Sequence, residues 1–510
     1  MSFTTFNDML RRAAMRVPDK TFLHWVDRDR KLSYAEGEAL SGQVAGALAR
    51  LGVRYGDRVG IFAHNGLDYI MAMFGAWKLG AISCHFNVLQ AEELDYFVDN
   101  ATPKALIYTH DMLPVIDRFR SCMPSIEHYL CMDGAQEGAL DWNVCVREGS
   151  DPPSVPVSGD DPAHLSYTSG SSGRPKGAVL AHGPTARAAH CIAERLGYTA
   201  SDFTLGATSP ASSYGLVANL LPAIHRGATI GLMSWWDAEN AWEVMNRLGV
   251  TVFPGNPLLF AELLSISRRR GRKPSALRLA VSGGAPVAPE LKRAFLDELG
   301  VFLVESYGQS ELGGFVALGR PQVEDGAKFT AIGPALPDKE VRIMDETSRE
   351  LPIGHPGEMC IRGGFMIGYW NQPDKNEEVI RNGWLHTGDM GVMDEDGYIS
   401  MLGRWSERIV SQGRAIFPRP MEEVLFRHPA VQYAAVIGKP DHLAGELIKA
   451  VVALHPGQEV TVEELENYCR REICEADCPE IFEVIDEMPM TATGKIGRAE
   501  LQRMESERRE

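Results

Sequence analysis

From Val59 to Val304 the chain alternates short, unbroken apolar runs with segments whose apolar residues recur at helical spacing. Val59–Ala63, Ala105–Tyr108, Thr229–Met233, Val250–Phe253, Leu277–Val281 and Val301–Val304 are short and rich in β-branched residues, which predicts buried strands. Ser41–Leu51, Ala238–Leu248 and Pro257–Ser267 predict helices between them. Alternation of this kind implies an α/β fold with helices layered on largely parallel sheets. Ligands of such sheets bind at the carboxyl ends of the strands. Two polar loops fall there, Ser282-Gly283-Gly284-Ala285-Pro286 and Glu305-Ser306-Tyr307-Gly308-Gln309-Ser310-Glu311.

The pattern changes twice further on. After Gly333, Val341–Met344, Gly357–Arg362 and Tyr398–Leu402 are strands punctuated by Gly, Pro and Asp turns, which predicts a small antiparallel β-barrel. After Gly403-Arg404 the chain predicts an α+β unit. Its elements are a helix near Met421–Arg427, strands Ala434–Ile437 and Lys449–Leu454, a helix Val462–Ile473 and a strand Glu480–Ile485. With 510 residues the chain exceeds one hydrophobic core. The expected division is a large N-terminal domain, 1–402, and a smaller C-terminal domain, 403–510. Ahead of the first strand, Phe6, Met9, Leu10, Ala13 and Val17 form one face of an amphipathic helix.

Composition narrows the function classes. Lys and Arg number 51 against 68 Asp and Glu, a net charge of −17, which disfavours a general nucleic-acid binder. Small anions are not excluded, because clustered backbone N–H groups bind them on an acidic protein. No apolar run approaches the ~20 residues of a membrane span. Asp8, Arg11 and Arg12 interrupt any signal-peptide core, and Ser506 to Glu510 match no peroxisomal or prenylation signal. Nine scattered cysteines predict free thiols and a cytoplasmic location.

The segment Tyr167-Thr168-Ser169-Gly170-Ser171-Ser172-Gly173-Arg174-Pro175-Lys176-Gly177 suits a phosphate chain. Glycines admit backbone N–H groups close to the oxygens, hydroxyls donate further bonds, and Lys176 adds charge. It is not a Walker loop, since Pro175 precedes Lys176 and Gly177 follows it. Ala178–Ala181 reads as extended, so the segment is expected to join two strands.

Together with Gly283-Gly284-Ala285-Pro286, Tyr307-Gly308-Gln309-Ser310-Glu311, Gly383-Trp384-Leu385-His386-Thr387-Gly388-Asp389, Gly403-Arg404 and Thr493-Gly494-Lys495, this segment resembles the adenylate-forming superfamily. That superfamily includes acyl-CoA synthetases, peptide-synthetase adenylation domains and beetle luciferases. The resemblance spans essentially the whole chain and is closest in type to an acyl-CoA synthetase. It implies ATP, Mg²⁺ and coenzyme A. Thr168 to Lys176 would hold the ATP phosphates; Gly283, Gly284 and Ala285 would lie along adenine, with Tyr307 stacking on it or lining the acyl pocket. Glu311 would hold Mg²⁺, Asp389 would accept from the ribose hydroxyls, and Arg404 would add a ribose or phosphate contact. Lys495, on a mobile C-terminal domain, would bridge the substrate carboxylate and the α-phosphate. That domain would rotate about a hinge near 404–407, and the face near Gly413 would then line the pantetheine tunnel.

The departures matter as much. Ser406 and Glu407 stand where the family commonly has Lys then Asp, and Pro420 where it commonly has Glu. The acyl-pocket segment reads Pro210-Ala211-Ser212-Ser213-Tyr214-Gly215, with small residues in place of an aromatic and an imidazole and no Asp to meet an ammonium group. Either the small residues enlarge the pocket, or Trp235, Trp236 and Tyr214 fill it. The basic run Arg268-Arg269-Arg270-Gly271-Arg272-Lys273 is expected to be a solvated loop. Cys469, Cys474 and Cys478 lack the paired spacing of a zinc site, and His182, His190 and His386 are expected to be packed or solvated. The chain is therefore expected to be an ATP-dependent carboxylate–CoA ligase. A carrier-protein-loading adenylating enzyme and a silent nucleotide-binding protein are the alternatives, and homo-oligomerisation is left open.

Overall fold

A computed structural model describes residues 5–149, 152–168, 174–322, 326–474, 477–490 and 496–507. Two eight-stranded sheets dominate it. The first runs Gly368–Tyr369, Lys176–Ala181, Pro162–Thr168, Ile82–His85, Arg58–Phe62, Ala105–Tyr108, His128–Cys131, Leu140–Asp141. The second runs Gly314–Leu318, Phe302–Gln309, Leu279–Ser282, Val252–Gly255, Phe203–Gly206, Thr229–Leu232, Thr21–Trp25, Arg30–Ser33. Their interior strands pair in parallel, as the strand–helix alternation requires.

Helices fill the space between these sheets. Leu67–Lys78 is buried from Leu67 to Trp77 apart from Asp68, and a helix apolar on all faces can lie only inside a core. The N-terminal helix Phe6–Arg16 buries Phe6, Met9, Leu10 and Ala13 against the same core, as its periodicity predicts. Each such large side chain contributes about 1.5–3 kcal/mol on burial. Phe6 also ties down His182, whose Nδ1 accepts from the Phe6 N–H at 3.3 Å.

The expected barrel region is a six-stranded antiparallel sheet with half-barrel form, including Glu340–Met344, Gly357–Arg362, Trp384–Met393 and Tyr398–Arg404. A separate five-stranded sheet with Ile409–Ser411, Val431–Asp441 and Gly445–Leu454 carries the C-terminal α+β region. Its core buries Cys469 and Cys478, while Cys474 is exposed.

One expectation is corrected. Arg268, Arg269 and Arg270 are not in a loop; they form the last turn of the helix Pro257–Arg270, closed by Gly271 in the left-handed region at φ 63°. Cations suit a helix C-terminus. They are also paired: Arg268 with Glu298, Arg269 with Glu239, and Arg270 with Glu239 and Glu243.

Candidate active site

The strand Phe302–Gln309 delivers Tyr307 and Gln309 to one point, and the strand Trp384–Met393 delivers Asp389 to meet them. The Tyr307 hydroxyl donates to Asp389 Oδ2 at 2.8 Å, and Gln309 Nε2 donates to the same oxygen at 2.6 Å. Arg404 is the cross-strand partner of Asp389, with its Nε 3.3 Å from Oδ1. Burial and the Asp389 charge push the Tyr307 phenol well above its ordinary value, so the hydroxyl stays a donor. A carboxylate so held, only 1% exposed, is fixed in position and ready to accept from further hydroxyls.

The turn before Asp389 is pinned just as firmly. Glu358 accepts from the Gly388 N–H at 2.9 Å and pairs with His386 Nδ1 at 2.7 Å. Thr387 Oγ1 donates to the Met359 carbonyl at 2.7 Å and accepts from the Asp389 N–H at 3.0 Å. Gly388, at φ 69°, supplies the left-handed residue the turn needs.

A second cluster lies beside Lys176. The strands Pro162–Thr168 and Lys176–Ala181 are antiparallel neighbours with Thr168 opposite Lys176, so the Ser/Gly segment joins two strands as expected. Residues 169–173, named as phosphate ligands from the sequence, lie outside the described residues, as does Lys495. The ammonium of Lys176 sits 4.8 Å from the centre of the Tyr369 ring, and the Tyr369 hydroxyl donates to Glu311 Oε1 at 2.8 Å. Lysine, aromatic ring and carboxylate thus form one connected cluster, an arrangement able to hold phosphate on its cationic side and a hard cation on its anionic side.

Close packing explains the glycines between these clusters. A Cβ on Gly283 would sit 2.4 Å from Ser306 Oγ and 2.6 Å from Tyr214 Cε2; one on Gly308 would sit 2.2 Å from the Gly314 carbonyl. Gly284, at φ 80°, faces open space, so a flat ligand can lie along this backbone. Ala285 and Pro286 continue the same loop toward the helix Pro289–Leu299.

Of the three aromatic residues near the acyl segment, Tyr214 is tied to the sheet. Its hydroxyl donates to the carbonyls of Gly255 at 2.9 Å and Val281 at 2.7 Å, bridging the ends of two strands. Trp235 instead packs against His64 with the rings tilted and is 55% exposed, and Trp236 packs on Phe253 and donates to Glu262. Ser213 Oγ meets Ser310 Oγ at 3.4 Å, linking this segment to the Glu311 turn.

Sequence comparison agrees with this geometry. The AMP-binding enzyme family matches residues 10–370, and the AMP-binding enzyme C-terminal domain matches residues 420–495. The chain belongs to the AMP-binding enzyme family. This AMP-binding enzyme is 32% identical over 479 residues to a feruloyl-CoA synthase of an Amycolatopsis species, covering 92% of this chain and 94% of the relative. It superposes on the anthranilate CoA ligase AuaEII in complex with anthranoyl-AMP with a TM-score of 0.91 at 28% identity, covering 99% and 98% of the two chains. ATP-bound MatB from Rhodopseudomonas palustris gives 0.88 at 26% identity, covering 98% and 99%. The enzyme accordingly belongs to an ATP-dependent adenylating family whose relatives include acyl-CoA synthetases and ligases. None of its described helices is long and apolar enough to cross a membrane.

Three residues of the AMP-binding enzyme's site escaped the sequence reading. Tyr369 and Glu358 are single residues in ordinary strand context, and only the tertiary fold brings them to Glu311 and Gly388. Arg419 lies between two prolines, with no local pattern that marks a partner, and it reaches Glu305, two residues before Tyr307. Gly413 turns the hairpin between Ile409–Ser411 and Arg414–Ile416, and no described hydrogen bond or ion pair joins it to the Asp389 cluster.

Proposed function

We propose that this enzyme activates a compact carboxylic acid, lacking a recognised α-amino group, as its acyl-adenylate and then transfers the acyl group to the CoA thiol. The observation that carries the reading is the buried Asp389 held by Tyr307, Gln309 and Arg404 beside the glycine-walled loop. Asp389 accepts from the ribose hydroxyls, and Gly283 to Pro286 with Gly308 line adenine. Lys176, with the Thr168–Gly173 segment, binds the phosphates. Glu311, one oxygen oriented by Tyr369, fits Mg²⁺, which prefers hard oxygen ligands. That ion would neutralise charge on the phosphate oxygens.

Lys495 bridges the acid carboxylate and the α-phosphate during attack, where a fixed cation acts on developing charge. The division expected at 402/403 falls inside the strand Tyr398–Arg404, so the hinge is assigned to the end of that strand, near 404–407. Support comes from the short turn Trp405–Glu407 between two separate sheets, with Glu407 Oε2 3.5 Å from Arg498 Nε. In the second arrangement Gly413 and its hairpin line the CoA path. Tyr214 supports a compact acid, because its hydroxyl is anchored to the Gly255 and Val281 carbonyls and in this reading its ring limits the acyl pocket. The named acids of the relatives, ferulate and anthranilate, are of this kind.

The test is pyrophosphate release across a panel of aryl, short-chain and long-chain acids and amino acids, with CoA present. Release with compact non-amino acids and formation of their thioesters is expected. Release driven by amino acids alone would overturn the reading.

A further inference from the structure

Away from the active site, the helix His182–Arg195 carries His190 and Glu194 four residues apart, so both side chains leave the same face. The last turn of Leu221–Arg226 brings His225 against them. His190 Nδ1 lies 2.9 Å from His225 Nε2 and 3.7 Å from Glu194 Oε1. Donor atoms of all three residues fall within 4.8 Å of one another. The two rings stand nearly perpendicular, 79° apart with centroids at 4.7 Å, and share a hydrogen bond whose proton an ion would displace.

A tetrahedral ion with bonds of about 2.0–2.1 Å separates adjacent ligand atoms by roughly 3.3 Å. The two separations at His190 straddle that value, one shorter and one longer, and the third pair lies within 4.8 Å, so side-chain rotations can bring the three atoms to ligand spacing. Two imidazoles and a carboxylate suit zinc and nickel and leave room for water as a further ligand. We propose that His190, His225 and Glu194 form a binding site for a divalent transition-metal ion of the zinc and nickel type, joining these two helices.

The surroundings set its strength. Arg226 pairs with Glu194, and Arg16 donates to the His225 carbonyl at 2.8 Å, so two cations stand near the ion. They weaken binding. Access is open, since the His190 side chain is 36% exposed and that of Glu194 51%.

The test titrates the full chain, stripped by chelator, with Zn²⁺ by calorimetry and with Co²⁺ by visible absorption. One equivalent is expected to bind, with no thiolate-to-metal charge-transfer band. His190→Gln and His225→Ala should each weaken binding by at least ~tenfold at unchanged circular dichroism. Glu194→Gln should weaken it too, Arg226→Gln should tighten it several-fold, and the exposed His442→Ala should leave it unchanged. Acid activation in chelator should be the same for all these variants, which separates this site from the catalytic reading. Absence of binding, or binding that survives both histidine variants, would overturn the proposal. A thiolate band would do so as well, because it would assign the ion to Glu358, Cys360 and His386 instead.

Discussion

Arg419, in the first turn of the helix Pro418–Phe426, donates to Glu305 at 3.0 Å, and both side chains are buried. Lys292 completes the cluster, 2.7 Å from the other Glu305 oxygen, and Glu423 holds the Arg419 Nε at 2.7 Å. The helix can begin on Pro418-Arg419-Pro420 because first-turn N–H groups need no helical partner. Arg419 is thereby aimed from the C-terminal region at the strand that carries Tyr307.

Arg419→Ala should destabilise the enzyme by about 1.5–3 kcal/mol, the worth of a charged hydrogen bond, since Lys292 still compensates Glu305. Urea unfolding checks this. Burial opposes the Glu305 charge, but Lys292 and Arg419 overcome it and hold the carboxyl below its ordinary 4.5. A depressed carboxyl contributes stability that is complete above the ordinary value and lost as pH falls through the folded one. Wild type should therefore lose stability below about pH 4.5 more steeply than Glu305→Gln.

Asp389→Ala should raise the ATP requirement by roughly ten- to a hundredfold, for a loss of about 1.5–3 kcal/mol, and leave the order of acid preference unchanged. Tyr307→Phe should do the same more weakly, because Gln309 and Arg404 still hold the carboxylate. Steady-state kinetics in ATP and in acid separate the two effects. An altered acid profile at unchanged ATP affinity would contradict the assignment.

Tyr214→Ala should shift acid preference toward longer chains while ATP affinity stays near wild type, since the proposed pocket is limited by the ring whose hydroxyl is anchored on Gly255 and Val281. Relative kcat/KM over a homologous series of acids reads this directly. An unchanged series would remove Tyr214 from the acyl pocket.

The strands between Val59 and Val304 were legible because each buried run is continuous and bounded by helical spacing. Helix ends were less so. Tyr34–Arg50 begins seven residues ahead of Ser41 through the Ser33 and Glu36 capping box, whose first turn gives the core only Tyr34 as a large apolar side chain. Pro257–Arg270 runs on into arginines that composition marks as solvated. In the site, glycines and hydroxyls mark Gly283–Pro286 and Tyr307–Glu311 as ligand loops before any fold is known. Tyr369 reaches Glu311 across 58 residues and Glu358 reaches Gly388 across 30, and no local pattern encodes such pairings.

Lys495→Ala should slow acyl-adenylate formation by a hundred- to a thousandfold, about 2.7–4 kcal/mol, because its charge acts where pyrophosphate departs. Thioester formation from supplied acyl-adenylate and CoA should be nearly unchanged. Equal slowing of both steps would remove the distinction between the two domain arrangements.

The account rests most directly on the coupling of acid activation to CoA. Wild-type enzyme, Mg²⁺, ATP, CoA and a compact aryl or short-chain acid are followed together for pyrophosphate, AMP and acyl-CoA by chromatography and mass spectrometry. One pyrophosphate, one AMP and one thioester per turnover are predicted, with acyl-adenylate accumulating only when CoA is withheld. Acid-dependent pyrophosphate release with no thioester in the presence of CoA would contradict the account.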